Sequence, residues 1–319
     1  MFPLTYDVSD SFRVGGTLDY VWGGLDIQMV MPGSMFGQFA SGASSLGGAS
    51  GSMVTTLNSF MSMGAVSDVN WAQFDFSEGG NKMKQRLTTN GWAGNIGFVW
   101  QATPQLSIGG VYHAKTDLKD MEGNGQVKMN AVMGGSAVTI PISGKMKIVD
   151  FQWPETYGIG LAYKANDKVL LVMDYKRIGW KKVMEKFRMA FTADGTQGDP
   201  VAQQMVSMGA TSLDSYLVQN WKDQDVLMLG GSYQMSEALT LRAGLNVARN
   251  PIPSEFVNYL FPAIVKNHVT LGFGYNLSKA SSIDFSFAYA PEVSITNDNM
   301  GVTTSHSQTN WQFMFSQRF

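Results

Sequence analysis

Apolar and polar side chains alternate along most of this 319-residue chain with the period of two that a β-strand imposes. Residues 272–293, GFGYNLSKASSIDFSFAYAPEV, show the pattern compactly. Phe273 and Tyr275, then Ile283, Phe285, Phe287 and Tyr289, share one face of a hairpin, opposite Gly272, Gly274, Ser282, Asp284, Ser286 and Ala288. The same alternation predicts eleven strands, over 3–8, 11–28, 90–102, 105–118, 147–164, 167–183, 222–235, 238–250, 264–277, 281–293 and 307–319. Short polar joints, near 8–11 and at 103–105, 165–168, 235–238 and 278–282, alternate with long ones at 30–89, 119–146, 184–221, 251–263 and 294–306. An antiparallel up-and-down meander with all its short turns at one end produces that order.

The apolar face could look at a protein core or at hydrocarbon. Most of the segments are about twice the five or six residues typical of soluble strands. Their aromatics fall in two rings: Phe12, Trp100, Tyr163, Tyr233 and Tyr275 beside the short turns, and Trp22, Tyr112, Tyr175 and Tyr289 toward the long joints. Aliphatic residues such as Ile96, Ile159, Leu227, Leu229 and Leu271 lie between them. Two aromatic girdles around an aliphatic band are what the two interfaces of a bilayer select. The opposite face is polar or small, with Asn95, His113, Asp174, Lys176, Arg242, Asn246, Asp284 and Gln312 in phase. The expected fold class is therefore all-β, a transmembrane antiparallel up-and-down β-barrel in an outer membrane, forming one domain over 1–319.

Composition supports this. Charged residues are 15% of the chain, below the roughly 25% of soluble proteins. The formal net charge of −2 gives no basic field for nucleic acid. Cysteine is absent, which rules out disulfides and thiolate metal sites, and the three histidines have no metal-ligand spacing. No metal, cofactor or enzymatic activity is expected. The last residues, TNWQFMFSQRF, set Trp311, Phe313, Phe315 and Phe319 on one face, similar to the C-terminal strand by which outer-membrane proteins are recognised by the barrel insertion machinery. An odd strand count is unexpected for a single-chain bacterial barrel. A piece upstream of Met1 is therefore expected to be missing.

The chain resembles the long-chain fatty-acid and hydrocarbon outer-membrane transporter family (FadL/TodX-like). The residues that carry the resemblance are DSFRVGGTLDYVWG (10–23), NGWAGNIGFVWQATPQLSIGGVYHAKTDLKDMEGNG (90–125), WPETYGIGLAYKANDKVLLVMDYKRIGW (153–180), NWKDQDVLMLGGSYQMSEALTLRAGLNVARNPIP (220–253) and FPAIVKNHVTLGFGYNLSKASSIDFSFAYA (261–290). The resemblance implies a monomeric barrel of fourteen strands when complete, plugged by an N-terminal hatch that this chain lacks along with the first strands. It implies passive uptake of long-chain fatty acids, or of aromatic and aliphatic hydrocarbons, with outer-membrane lipid and lipopolysaccharide as surroundings. A general diffusion porin and a soluble β lipid-binding protein are the competing readings.

Two sets of residues are candidates for binding. The joint 30–89, expected to be an extracellular loop with a short helical segment, has no charge between residues 27 and 67 and is rich in methionine. Met35, Phe36, Phe39, Leu46, Met53, Leu57, Phe60 and Met61 would form an apolar landing groove, or else an ordinary loop core, since methionine packs adaptably against varied apolar surfaces. In the lumen, His113, Lys115, Lys222 and Arg242 could meet a carboxylate head group. Pairing within the lumen, Lys115 with Asp117 or Lys266 with Asp284, is the structural alternative.

Overall fold

The computed structural model describes residues 1–77, 87–258 and 262–318. Part of the first long joint, 78–86, and Phe319 of the last aromatic face lie outside the described residues. In chain order the elements are β1 (Phe2–Ser9), β2 (Phe12–Leu25), β3 (Gln28–Pro32), α1 (Gly33–Ser41), β4 (Gly47–Ser50), α2 (Ser52–Ser62), β5 (Asp68–Asp75), β6 (Leu87–Gln101), β7 (Leu106–His113), β8 (Asp117–Leu118) and β9 (Met121–Met133). They continue with β10 (Ser136–Val149), β11 (Thr156–Asn166), β12 (Val169–Ile178), β13 (Lys186–Ala193), α3 (Pro200–Ser207), β14 (Ser212–Val218), β15 (Gln224–Gln234), β16 (Leu239–Ala248), β17 (His268–Asn276), β18 (Ser281–Asn297) and β19 (Val302–Gln317). Two 3-10 turns, Trp180–Lys182 and Ser254–Phe256, complete the set.

Eleven of these strands form the wall: β1, β2, β6, β7, β11, β12, β15, β16, β17, β18 and β19, each antiparallel to the next. Every strand expected from the alternation is present. Among the described residues the sheet nevertheless has nineteen strands rather than eleven, because the long joints carry strands of their own. Some expected segments also end early. The stretch 147–164 is broken between β10 and β11, where Asp150 takes a left-handed backbone (φ 53°) and Pro154 interrupts the ladder. The joint at 294–306 is no loop: β18 and β19 continue through it to a turn at 298–301 closed by Gly301 (φ 64°).

The short turns share one device. A side-chain oxygen of Ser9, Thr103, Asn166, Ser236 or Ser278 accepts the backbone N–H of Phe12, Leu106, Lys168, Leu239 or Ser281, at 2.9–3.1 Å. Such local bonds are why serine, threonine and asparagine belong at these positions. Above the turns the register keeps each aromatic girdle on the outward face, as in Phe12↔Trp100 and Leu239↔Tyr275 below and Tyr112↔Tyr157 and Val269↔Tyr289 above. The outward aliphatics between them, Ile96, Leu229 and Leu271 among them, are exposed. In water such an apolar band would be a liability, whereas facing lipid it is stable. The described residues of β1 and β19 each pair on one side only.

The protein's hydrophobic core is not in the wall. The joints 26–86, 114–155 and 179–223 supply an antiparallel cap sheet in the order β3, β5, β9, β10, β13, β14, β4. Helices α1, α2 and α3 pack on it, and the main buried cluster, with Phe36, Phe39, Leu57, Phe74, Phe76, Met146 and Phe191, lies between them. Gly33 starts α1 directly over β5, where a Cβ would lie 1.5 Å from the Val69 carbonyl oxygen, so only glycine fits. The N-terminus of α3 is capped by Asp199, whose carboxylate accepts the Ala202 N–H at 2.9 Å, with Pro200 next in the chain. Pairing of β8 with β6, Gly91↔Leu118 and Trp92↔Asp117, welds the cap to the wall.

Candidate functional site

Where the cap meets the wall lies a cavity of about 660 Å³. Its wall is built from three successive joints between cap and barrel, each of which places one tryptophan: Trp153 between β10 and β11, Trp180 between β12 and β13, and Trp221 between β14 and β15. They form a chain of edge-to-face contacts, Phe151 to Trp153 at 5.5 Å, Trp153 to Trp180 at 6.3 Å and Trp180 to Trp221 at 4.9 Å. That geometry is the preferred one for aromatic pairs. Leu118, Met121, Met184 and Phe187 complete this side, and Trp22, Pro262 and His306 the other. Among the described residues, no Asp, Glu, Lys or Arg lines it.

Each tryptophan is set by polar bonds behind it. Gln152, 5% exposed, accepts from the Thr116 hydroxyl at 3.0 Å and the Leu118 N–H at 2.9 Å, and donates to the Leu118 carbonyl at 2.9 Å. Thr116 in turn accepts the Trp153 N–H at 2.8 Å. Trp221 follows Asn220, a second left-handed residue (φ 46°), and donates its backbone N–H to Met184 at 3.1 Å. Asparagine tolerates that conformation better than most side chains. Behind Trp221, Ile252, Val257 and Ile264 form a small second core. Asp223 holds the Trp180 turn, accepting the Lys181 N–H at 3.1 Å and Arg177 Nη2 at 3.2 Å.

At the rim, Lys182 Nζ donates to Glu155 at 2.6 Å, and the hydroxyls of Tyr112 and Tyr157 donate to its other oxygen at 3.3 and 3.2 Å. The Lys182 bond holds the Glu155 carboxyl below the usual carboxylate range. A carboxyl depressed in the folded protein adds stability above its unfolded value and loses it as pH falls through the folded one. Acidification is therefore expected to loosen the rim, and Glu155→Gln to flatten that dependence. Thermal unfolding followed by tryptophan emission across acidic pH checks this, and superimposable profiles of the two proteins would refute it.

The expected site residues fall elsewhere. Phe36, Phe39, Met53, Leu57 and Phe60 are buried in the cap core, Met35 and Leu46 are half-buried against it, and Met61 is exposed. Phe36, Met53 and Leu57 do share a cavity, but of about 30 Å³, room for roughly one water. Arg242 points inward and pairs with Asp284 at 2.8 Å. That corrects the pairing of Asp284 with Lys266, which lies before β17 and has no ion pair among the described residues. Lys115 lies beyond the end of β7 and, like His113 and Lys222, also has none. Lys222 adjoins Trp221, and none of His113, Lys115, Lys222 and Arg242 lines the cavity. Only Trp22 among the cavity's tryptophans carries a sequence expectation, as a girdle residue. The available signal is the repeat of one tryptophan beside a charge or proline, QWPE, GWKK and NWKD, at successive crossings between cap and barrel.

A lipid-facing antiparallel wall, crowned by a folded cap over a chamber lined by aromatic residues, defines the outer-membrane β-barrel class. Residues 3–317 match the family described as outer membrane protein transport protein (OMPP1/FadL/TodX), and the chain belongs to that family. Among solved structures it is similar to the Pseudomonas putida toluene transporter TodX, with 26% identity, a TM-score of 0.75, and coverage of 99% of this chain and 68% of that one. It is also similar to the Ralstonia pickettii toluene transporter TbuX, with 25% identity, a TM-score of 0.70, and coverage of 99% and 66%. A 47 kDa outer membrane protein of Pasteurella multocida (strain Pm70) is 23% identical over 206 residues, 62% of this chain and 42% of that protein. The chain thus spans less than half the length of that curated relative.

Proposed function

We propose that the protein takes up small neutral hydrophobic compounds, monoaromatic compounds foremost, through the chamber beneath the cap. The observation that carries this is the charge-free, tryptophan-lined cavity of about 660 Å³. An ionised carboxylate placed there would meet no cationic side chain among the described lining residues, whereas a neutral aromatic needs none. The two toluene transporters among the similar structures support the same reading. Transport is passive: the ligand leaves water for an apolar, aromatic surface and then passes into the lumen.

Long-chain fatty acid is a second reading, favoured by Lys222, which is exposed, free of ion pairs among the described residues, and next in the chain to Trp221. An acyl chain in the cavity with its head group on Lys222 would satisfy both. The test is a tryptophan-fluorescence titration of the protein extracted from outer membranes, with toluene and with palmitate. Saturable toluene binding that Trp180→Ala weakens about tenfold is the expected result. Tight palmitate binding that Lys222→Ala abolishes, with no response to toluene, would replace this reading by the second.

A further inference from the structure

The chamber is neutral but not wholly apolar. Gln219, the residue before Asn220, is 4% exposed and lines the cavity, no hydrogen bond of its side-chain amide is seen among the described residues, and the indole N–H groups of Trp180 and Trp221 in the same wall are buried without a partner. On the other side, His306 Nδ1 lies 2.8 Å from the Pro262 carbonyl oxygen. A carbonyl only accepts, so Nδ1 carries the proton, and in the neutral ring Nε2 is left as an acceptor. Nε2 has no protein partner among the described residues either. A primary amide, an imidazole nitrogen and two unpartnered indole N–H groups therefore border a space otherwise walled largely by aromatic, methionine and leucine side chains.

We infer that the preferred ligands are hydroxylated aromatics, phenols rather than the parent hydrocarbons; this rests on the chamber being the ligand site, as proposed above. A ring fits the indole wall by edge-to-face contact. A phenolic hydroxyl donates one hydrogen bond and accepts others, so it can meet the lone pair of His306 Nε2 or either end of the Gln219 amide. A bare hydrocarbon displaces water from both groups and returns nothing to them. Sites that hold buried polar groups discriminate against ligands lacking the matching group, because those groups are left unpaired. For a carboxylate, no Lys or Arg among the described lining residues would balance the charge.

The test compares p-cresol with p-xylene, which differ by a hydroxyl in place of a methyl group. Binding is followed by tryptophan fluorescence in the protein extracted from outer membranes, for the natural chain and for Gln219→Leu and His306→Phe. Gln219→Leu is expected to weaken p-cresol about fivefold to tenfold more than it weakens p-xylene, a ratio in the range of one net hydrogen bond. His306→Phe should act in the same direction, with His306→Gln, which restores an acceptor, recovering part of the loss. Heat-dependent gel mobility confirms that each variant is folded. Equal weakening of both ligands, or none, would overturn the inference while leaving hydrocarbon uptake standing. Failure of the natural chain to bind either ligand would overturn both.

Discussion

Replacing Phe74 with alanine is expected to cost the cap about 3–5 kcal/mol, the usual range for emptying a buried phenylalanine site. Phe74 is 2% exposed at the centre of the cap core and contacts the same small cavity as Phe36, Met53 and Leu57. Because that cavity is only about 30 Å³, there is no slack into which neighbours can relax without moving backbone. Among the described residues the wall touches this core at its cap end, through Leu87 of β6 and Leu25 of β2, so the variant should keep the heat-dependent gel mobility of a folded barrel. Its cap should become sensitive to protease, and toluene binding should fall, since β13, α3 and the tryptophan joints hang from the same sheet. A variant with an intact, protease-resistant cap would show that the core is more plastic than its packing indicates.

Leu229→Arg tests the other half of the molecule. Leu229 lies midway along β15 on the outward face, beside Met173 and Leu245 on the neighbouring strands, and is 43% exposed. In a soluble sheet an arginine there would be nearly neutral. At the midplane of a bilayer it costs about 2–4 kcal/mol, because the guanidinium must be drawn from water into hydrocarbon. Urea unfolding from lipid vesicles should show a loss of that size, with Thr240→Arg, on the lumen face of β16, losing much less. Equal stability of the Leu229 variant and the natural chain would mean that the band faces water.

The wall was legible in the sequence because both of its faces have a solvent of their own. Lipid outside and a polar lumen inside force strict alternation, so Phe273, Tyr275, Ile283 and Phe285 reveal strand, face and neighbour at once. The serine and threonine turns were legible for a similarly local reason, a side chain bonding its own backbone. The cap was not. Strands such as β9 and β13 lie in glycine-rich or charged joints, and their partners are far away in sequence, as in Leu217↔Gly47 and Ala72↔Met129. The uncharged stretch around Phe36 and Phe60 announced burial correctly, but composition is the same whether a side chain is covered by ligand or by the protein's own strands. Three-dimensional pairing buried it in the cap core.

The chamber shows the division most clearly. Sequence alone determined the membrane-facing wall, the face of each strand, its two aromatic girdles and the family to which the chain belongs. Tertiary structure alone decided which apolar residues remain available to a ligand. Trp153, Trp180 and Trp221 stand 27 and 41 positions apart along the chain and meet only because the joints carrying them converge between cap and barrel. The physical reason is range: alternation is enforced residue by residue by the solvent on each face, whereas a cavity is the space left over when distant segments have packed.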